Sequence, residues 1–258
     1  MQDGKIQWED TTPIDKDTLF TPHRRILYYR EVEQEPIIPY QETILYQDKN
    51  LLVADKPHFL PVTPSSVYVN QCLLYRLRKQ TGIHELAPIH RIDRWTAGLV
   101  MFSTSTEVRS IYHRMFAHGE VNKIYHGIAQ LATGNKELSA VPGQEWLVEN
   151  RIVKGNPRFL MTVISGEINA RSQIRCIDTK SGKGLFHLHP LTGKTHQLRL
   201  HMSELGMPLL HERYYPELQP KSPDNFDQPL QLLAKELKFI DPITSESRYF
   251  RSRQDLAW

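Results

Sequence analysis

Several things are scarce in this chain of 258 residues, and each scarcity excludes something. No apolar run reaches the 18 or so residues that a membrane-spanning helix needs. The opening "MQDGKIQWEDTTPIDKD" is acidic and polar, unlike a secretory signal peptide. Only two cysteines occur, Cys72 and Cys176, with no paired or CxxC spacing. They argue against a disulfide framework and fit a reducing cytoplasm. Internal repeats and low-complexity tracts are missing. "LTGKTHQ" ends like a phosphate loop, but its first glycine falls on Leu188. No dinucleotide fingerprint appears, and no G-x-S-x-G elbow that would place a nucleophilic serine. His187, His189, His196 and His201 resemble a metal cluster only in composition, because the step from 196 to 201 does not align on a helix. A metal-dependent hydrolase is therefore the weakest of the function classes considered.

What is present is an ordinary globular composition, 40% apolar and 24% charged, enough for a substantial core. Net charge is only +3. The cations are clustered: "HRRILYYR" at 23–30, "YRLRK" at 75–79, "KTHQLRLH" at 194–201 and "RYFRSR" at 248–253. Each mixes cations with aromatic or aliphatic residues, as phosphate-tracking surfaces do, although any one of them alone reads more readily as a solvated face.

Residues 1–40 have little periodicity and read as an N-terminal extension, with the main domain at 41–258. "TILYQDKNLLVADKP" is two apolar runs around Asp48-Lys49-Asn50, a hairpin signal. "NQCLLYRLRKQTG" has helical spacing and a stop at Gly82. "GLVMFS" reads as a strand. Thr104 and Glu107 then match a capping box ahead of a helix whose stripe is Val108, Ile111, Tyr112, Met115 and Phe116, closed by Gly119. "VNKIYHGIAQL", "SQIRCID" and "GLFHLHP" have strand character, and "THQLRLHMSELG" is helical. A last hairpin is expected around Pro242. Strands and helices mix without regular βαβ alternation, so the fold class is α+β.

"APIHRIDRWTAGLVMFS", residues 87–103, sets one acid, Asp93, between Arg91 and Arg94 with His90 upstream. An acid between arginines is ordinarily a structural salt bridge. This one lies in a loop feeding a core strand, where a rigid scaffold presents reactive groups. Cations beside it favour the ionised form, which suits a nucleophile or a base.

At these residues the chain resembles the RluA-like RNA pseudouridine synthases. "HRIDRWTAGLVMF" is similar to that family's His-Arg-Leu-Asp-Arg-x-Thr-Ser-Gly-Leu-Leu-Leu signature. In order, "NLLVADKPHFLPVTPS", "VNKIYHGIAQL", "HLHPLTGKTHQLRLHMSELGMPLL" and "LQLLAKELKFIDPIT" are similar to four further family segments, spanning roughly residues 43–250. The resemblance implies a mixed, mostly antiparallel sheet with an active cleft crossing its middle. It implies that specific uridines of structured RNA, rRNA or tRNA, are isomerised without cofactor or metal by a cytoplasmic enzyme, here expected as a monomer. It gives Asp93 as the catalytic aspartate, Tyr125 as the ring stacking on the target uracil, and Arg199 as the partner of Asp93. Arg91 would fill the space left by the extracted base, and Arg94 would hold phosphate or shape the loop. Lys123, Lys194 and His196 complete the expected RNA contacts. The sequence departs from the pattern at Trp95, Ala97 and Lys194, and "MPLLHERYYPE" replaces a segment whose Gly-Asp turn is expected to be lost. Those departures motivate the alternative, an RNA-binding or chaperone protein of the same fold without turnover.

Overall fold

The computed structural model describes residues 6–28, 34–131 and 140–258. Tyr29 and Arg30, the end of the first basic cluster, lie outside them. The chain divides into two units, Met1–Pro36 and Ile37–Trp258. The first holds a two-stranded antiparallel ribbon, β1 (Ile6–Trp8) with β2 (Ile26–Tyr28), and the Arg24 guanidinium lies 4.5 Å from the Trp8 ring centre. Three-residue strands are too short for alternation to register, which is why the sequence read as featureless there. Ile38, 1% exposed, and Tyr40, stacked near Phe59 and edge-on to Phe226, tie residues 37–40 to the larger unit, four residues ahead of the expected junction.

Among the described residues the larger unit is built on an eleven-stranded sheet. The strands are β3 (Thr43–Gln47), β4 (Leu51–Lys56), β5 (Ala87–Pro88), β6 (Ala97–Ser103), β7 (Asn122–Gln130), β8 (Glu145–Lys154), β9 (Met161–Ile164), β10 (Ala170–Lys180), β11 (Lys183–Pro190), β12 (Leu232–Ile240) and β13 (Ser247–Arg251). Their order is β3-β4-β6-β12-β7-β11-β10-β8-β9, with β13 beside β12 and β5 beside β6. The pair β6–β12 is parallel and the remaining pairs are antiparallel. The fold is α+β.

Local chemistry accounts for the elements. The β3–β4 hairpin turns on Asp48, whose Oδ1 accepts the N–H groups of Asn50 (2.8 Å) and Leu51 (2.7 Å). β4 and β6 are buried throughout; the apolar runs at 51–54 and 97–102 lie in the middle of the sheet, and β4 buries Asp55 and Lys56 as well. Helix α1 (Leu73–Thr81) buries Leu73 and Leu77 and ends on Gly82 at φ 71°. Helix α2 (Thr106–Ala117) buries Tyr112 and Met115. Its cap is Ser105, not the expected Thr104, because the Thr104 hydroxyl donates instead to the Lys49 carbonyl at 2.6 Å. Helix α3 (Gln197–Glu204) is buried from Gln197 to Met202 and lies against the half of the core formed by β7, β10, β11 and β12. No helix among the described residues is long and apolar enough to cross a membrane.

One glycine is fixed by packing. At Gly98 (φ 109°) a Cβ atom would sit 2.2 Å from the Ala234 carbonyl oxygen, so only glycine lets β6 approach β12 here. That joint lies immediately after the Asp93 loop.

Candidate active site

Asp93 sits in the loop between β5 and β6 and lines a cleft of about 940 Å³. Three successive carbonyls of this loop are pinned. Asp93 O accepts the Thr96 N–H at 3.1 Å. Arg94 O accepts from Lys56 Nζ at 3.1 Å, and Trp95 O from His58 Nδ1 at 2.7 Å. Lys56 is fully buried and donates as well to Pro57 O (2.9 Å) and Leu60 O (2.7 Å). Burial pushes its pKa well below the ordinary lysine value, with the Asp93 charge opposing. Burial also lowers His58 to about 4, so it is neutral at pH 7 and donates through Nδ1–H. The loop therefore presents Asp93 from a fixed backbone.

The structure brings Arg199, 106 residues on, to this carboxylate: Nη1 lies 3.3 Å from Asp93 Oδ2. Arg199 is 1% exposed, an unusual place for a guanidinium, and its charge is answered from behind. Glu212, its side chain 2% exposed, accepts from Arg199 Nε at 2.7 Å and from Nη2 at 2.5 Å, a bidentate fork. Trp95, Tyr214 and Tyr215 surround the guanidinium with ring centres 5.5, 4.8 and 5.7 Å from its carbon. Burial opposes the charge, but Glu212 and then Asp93 outweigh it and raise the Arg199 pKa above the ordinary value.

Glu212 corrects an expectation. The Gly-Asp turn is replaced rather than lost: His211 takes the left-handed conformation (φ 61°), one that histidine tolerates better than most side chains. The longer Glu212 then serves as the acid, its Oε1 also accepting the N–H groups of Arg213 (2.9 Å) and Tyr214 (2.8 Å). Sequence reading missed it because a histidine where glycine is usual conceals a positive φ.

Tyr125, on β7, lines the cleft and packs against the core beneath it. Burial, then the Asp93 charge, pushes its phenol pKa upward, so the ring remains uncharged. Arg91 is exposed on the cleft wall and makes no ion pair among the described residues. Lys123 and Lys194 also line the cleft, the first half-buried with its pKa lowered by that burial, the second exposed. Two residues expected among the RNA contacts are engaged internally. Arg94 forks onto Asp224 (Nη1–Oδ2 2.6 Å, Nη2–Oδ1 3.0 Å), and Trp95 Nε1 donates to the same carboxylate at 3.3 Å. Of its two expected roles, this geometry suits loop shaping. His196 turns inward, its side chain 10% exposed, with Nδ1 2.8 Å from the Tyr215 hydroxyl and Nε2 3.8 Å from Asp93 Oδ1. Asp224 carried no sequence signal, since it lies in a stretch without periodicity.

This arrangement offers a fixed carboxylate, a buried cation holding it, an uncharged aromatic ring and free cations on the walls. The chain that carries it is similar to known proteins. A sequence model described as RNA pseudouridylate synthase matches residues 50–204. The chain is 31% identical over 225 residues to the dual-specificity RNA pseudouridine synthase RluA of Haemophilus influenzae, covering 85% of this chain and 96% of that protein. It is 30% identical over 225 residues to tRNA pseudouridine synthase C of Vibrio vulnificus, covering 83% and 91%. Its fold is similar to that of human RNA pseudouridylate synthase domain containing 1, with a TM-score of 0.66 at 18% identity over 86% of each chain.

Proposed function

Since this chain belongs to the RNA pseudouridylate synthase family, we propose that it acts on uridines of tRNA or rRNA, with Asp93 as its catalytic carboxylate. The observation that carries the residue assignment is the relay Glu212–Arg199–Asp93 ending in the cleft beside Tyr125.

Pseudouridine formation breaks the bond from the ribose C1′ to N1 of uracil, turns the base, joins C5 to C1′, releases the C5 proton and leaves a proton on N1. A stacked nucleotide cannot do this, so the target leaves the helix at a cost of about a few kcal/mol. An aromatic platform returns roughly 1–3 kcal/mol per base, and Tyr125 supplies it. Its place in the cleft that Asp93 also lines supports that role. Arg91 fills the gap in the RNA stack. Lys123 and Lys194 hold phosphates, which position the strand without reading its sequence. Asp93 acts on the ribose, and Arg199 keeps the carboxylate oriented while the cleft excludes water. Two free, buried cysteines support a cytoplasmic setting.

Mapping pseudouridines across all RNAs in cells that lack the gene, complemented with wild type or with Asp93→Asn, tests this reading. One or more tRNA or rRNA positions should lose the modification, regain it with wild type and stay unmodified with Asp93→Asn. Restoration by Asp93→Asn would contradict the assignment. An unchanged modification map, with RNA binding intact, would instead favour a chaperone that has kept the fold.

A further inference from the structure

Asp93 has two carboxylate oxygens, and the relay through Arg199 accounts for one. The other, Oδ1, faces His196 Nε2. What this imidazole can do depends on which ring nitrogen carries its proton, and Tyr215 decides that. The Tyr215 oxygen accepts the Met161 N–H at 2.9 Å and lies 2.8 Å from His196 Nδ1. Tyr215 is 7% exposed, so its own hydroxyl proton must find an acceptor inside the protein. His196 Nδ1 is the acceptor within reach. Were Nδ1 protonated instead, the phenol proton would be stranded. The proton of the neutral ring therefore sits on Nε2, aimed at Asp93.

We propose that His196 is a positioning residue for Asp93: a second hydrogen-bond donor to its carboxylate, held in the Nε2–H tautomer by Tyr215. The proposal rests on Asp93 being the catalytic carboxylate. At 3.8 Å the contact is longer than a hydrogen bond, and such bonds commonly tighten when substrate closes the site. Arg199 on Oδ2 and His196 on Oδ1 then fix the carboxylate from two sides. His196 stands just ahead of α3 with a left-handed backbone (φ 55°). The charged and titratable groups facing the ring are Asp93, Arg199, Glu212, Tyr214 and Tyr215. Burial, with Arg199 adding to it and Asp93 and Glu212 opposing, holds its pKa below the ordinary value, so the ring is neutral at pH 7. With Nδ1 occupied, His196 has no free lone pair on either nitrogen and cannot serve as the base that removes a proton from uracil.

Proton–nitrogen correlation spectra of the histidine-labelled protein, recorded without RNA, read the tautomer directly. A protonated Nε2 and an unprotonated Nδ1 are expected for His196, with that preference weakened in Tyr215→Phe. A protonated Nδ1 in the wild type would overturn the proposal. Turnover gives a second arm: His196→Gln keeps an amide donor near the Nε2 position, whereas His196→Leu has none. His196→Leu should lose about tenfold or more in kcat with KM little changed, and His196→Gln should recover most of it. Equal losses in the two variants would overturn the donor role. So would an acid limb in the wild-type kcat profile that disappears in His196→Gln, because that is the behaviour of a base. If wild type is inactive on every RNA tried, the functional assignment fails while the tautomer result stands.

Discussion

Arg199 is buried among the core residues at 1% exposed, and a cation in that position is tolerated only when paired. Glu212 is the pair, and the fork leaves one nitrogen, Nη1, for Asp93. Removing one partner of a buried ion pair typically costs about 3–5 kcal/mol, because the survivor's charge remains desolvated. Glu212→Ala should therefore lower unfolding stability by about that amount, measured from the denaturant midpoint, and should reduce turnover as Arg199 loses its orientation. A variant as stable as wild type would mean that the fork is not what keeps Arg199 in place. At this scale the sequence was partly legible. Asp93 stood out by its setting in a loop, while Arg199 and Tyr125 became visible only through family resemblance. The acid behind Arg199 was hidden because 13 residues and a left-handed histidine separate it from its partner.

Helices and strands follow from periodicity and stop signals, and the order in which strands pair does not. The sequence predicts β6 as a strand and a hairpin at β12–β13, but nothing local announces that β12 inserts parallel beside β6, two register pairs long. Gly98 records that event only in three dimensions. Gly98→Ala would set a Cβ atom 2.2 Å from the Ala234 carbonyl oxygen at a φ that alanine avoids. A loss of at least about 3 kcal/mol is expected from the clash and the strain together. Chemical denaturation measures it. A near-neutral effect would show that the two strands can separate without cost, and the Asp93 loop between β5 and β6 would then lack its rigid base. The missed cap at α2 has a similar origin: Thr104 could cap a helix locally, but the β3–β4 turn claims its hydroxyl.

For the whole molecule, net charge said little, and the distribution of buried bases says more. Burial depresses His58 to about 4, His90 to about 3, His126 to about 4 and His201 to about 4, all below the ordinary 6.5. The folded state thus binds fewer protons than the unfolded chain between those values. Stability is full above about 6.5 and falls as pH drops through the window toward 3–4. The melting temperature should decline between about pH 7 and about pH 5, where most carboxylates are still ionised, and unfolding at about pH 5 should take up protons. A flat melting temperature over that interval would refute the burial of these rings.

The central claim joins these scales: a carboxylate held by a buried arginine in this cleft rearranges uridine. Tritium release from C5 of labelled uridine, in RNA incubated with purified protein, tests it most directly. Wild type should release tritium at the modified position, and Asp93→Asn, still folded and still binding RNA, should release none. Release at the wild-type rate from Asp93→Asn would contradict the account.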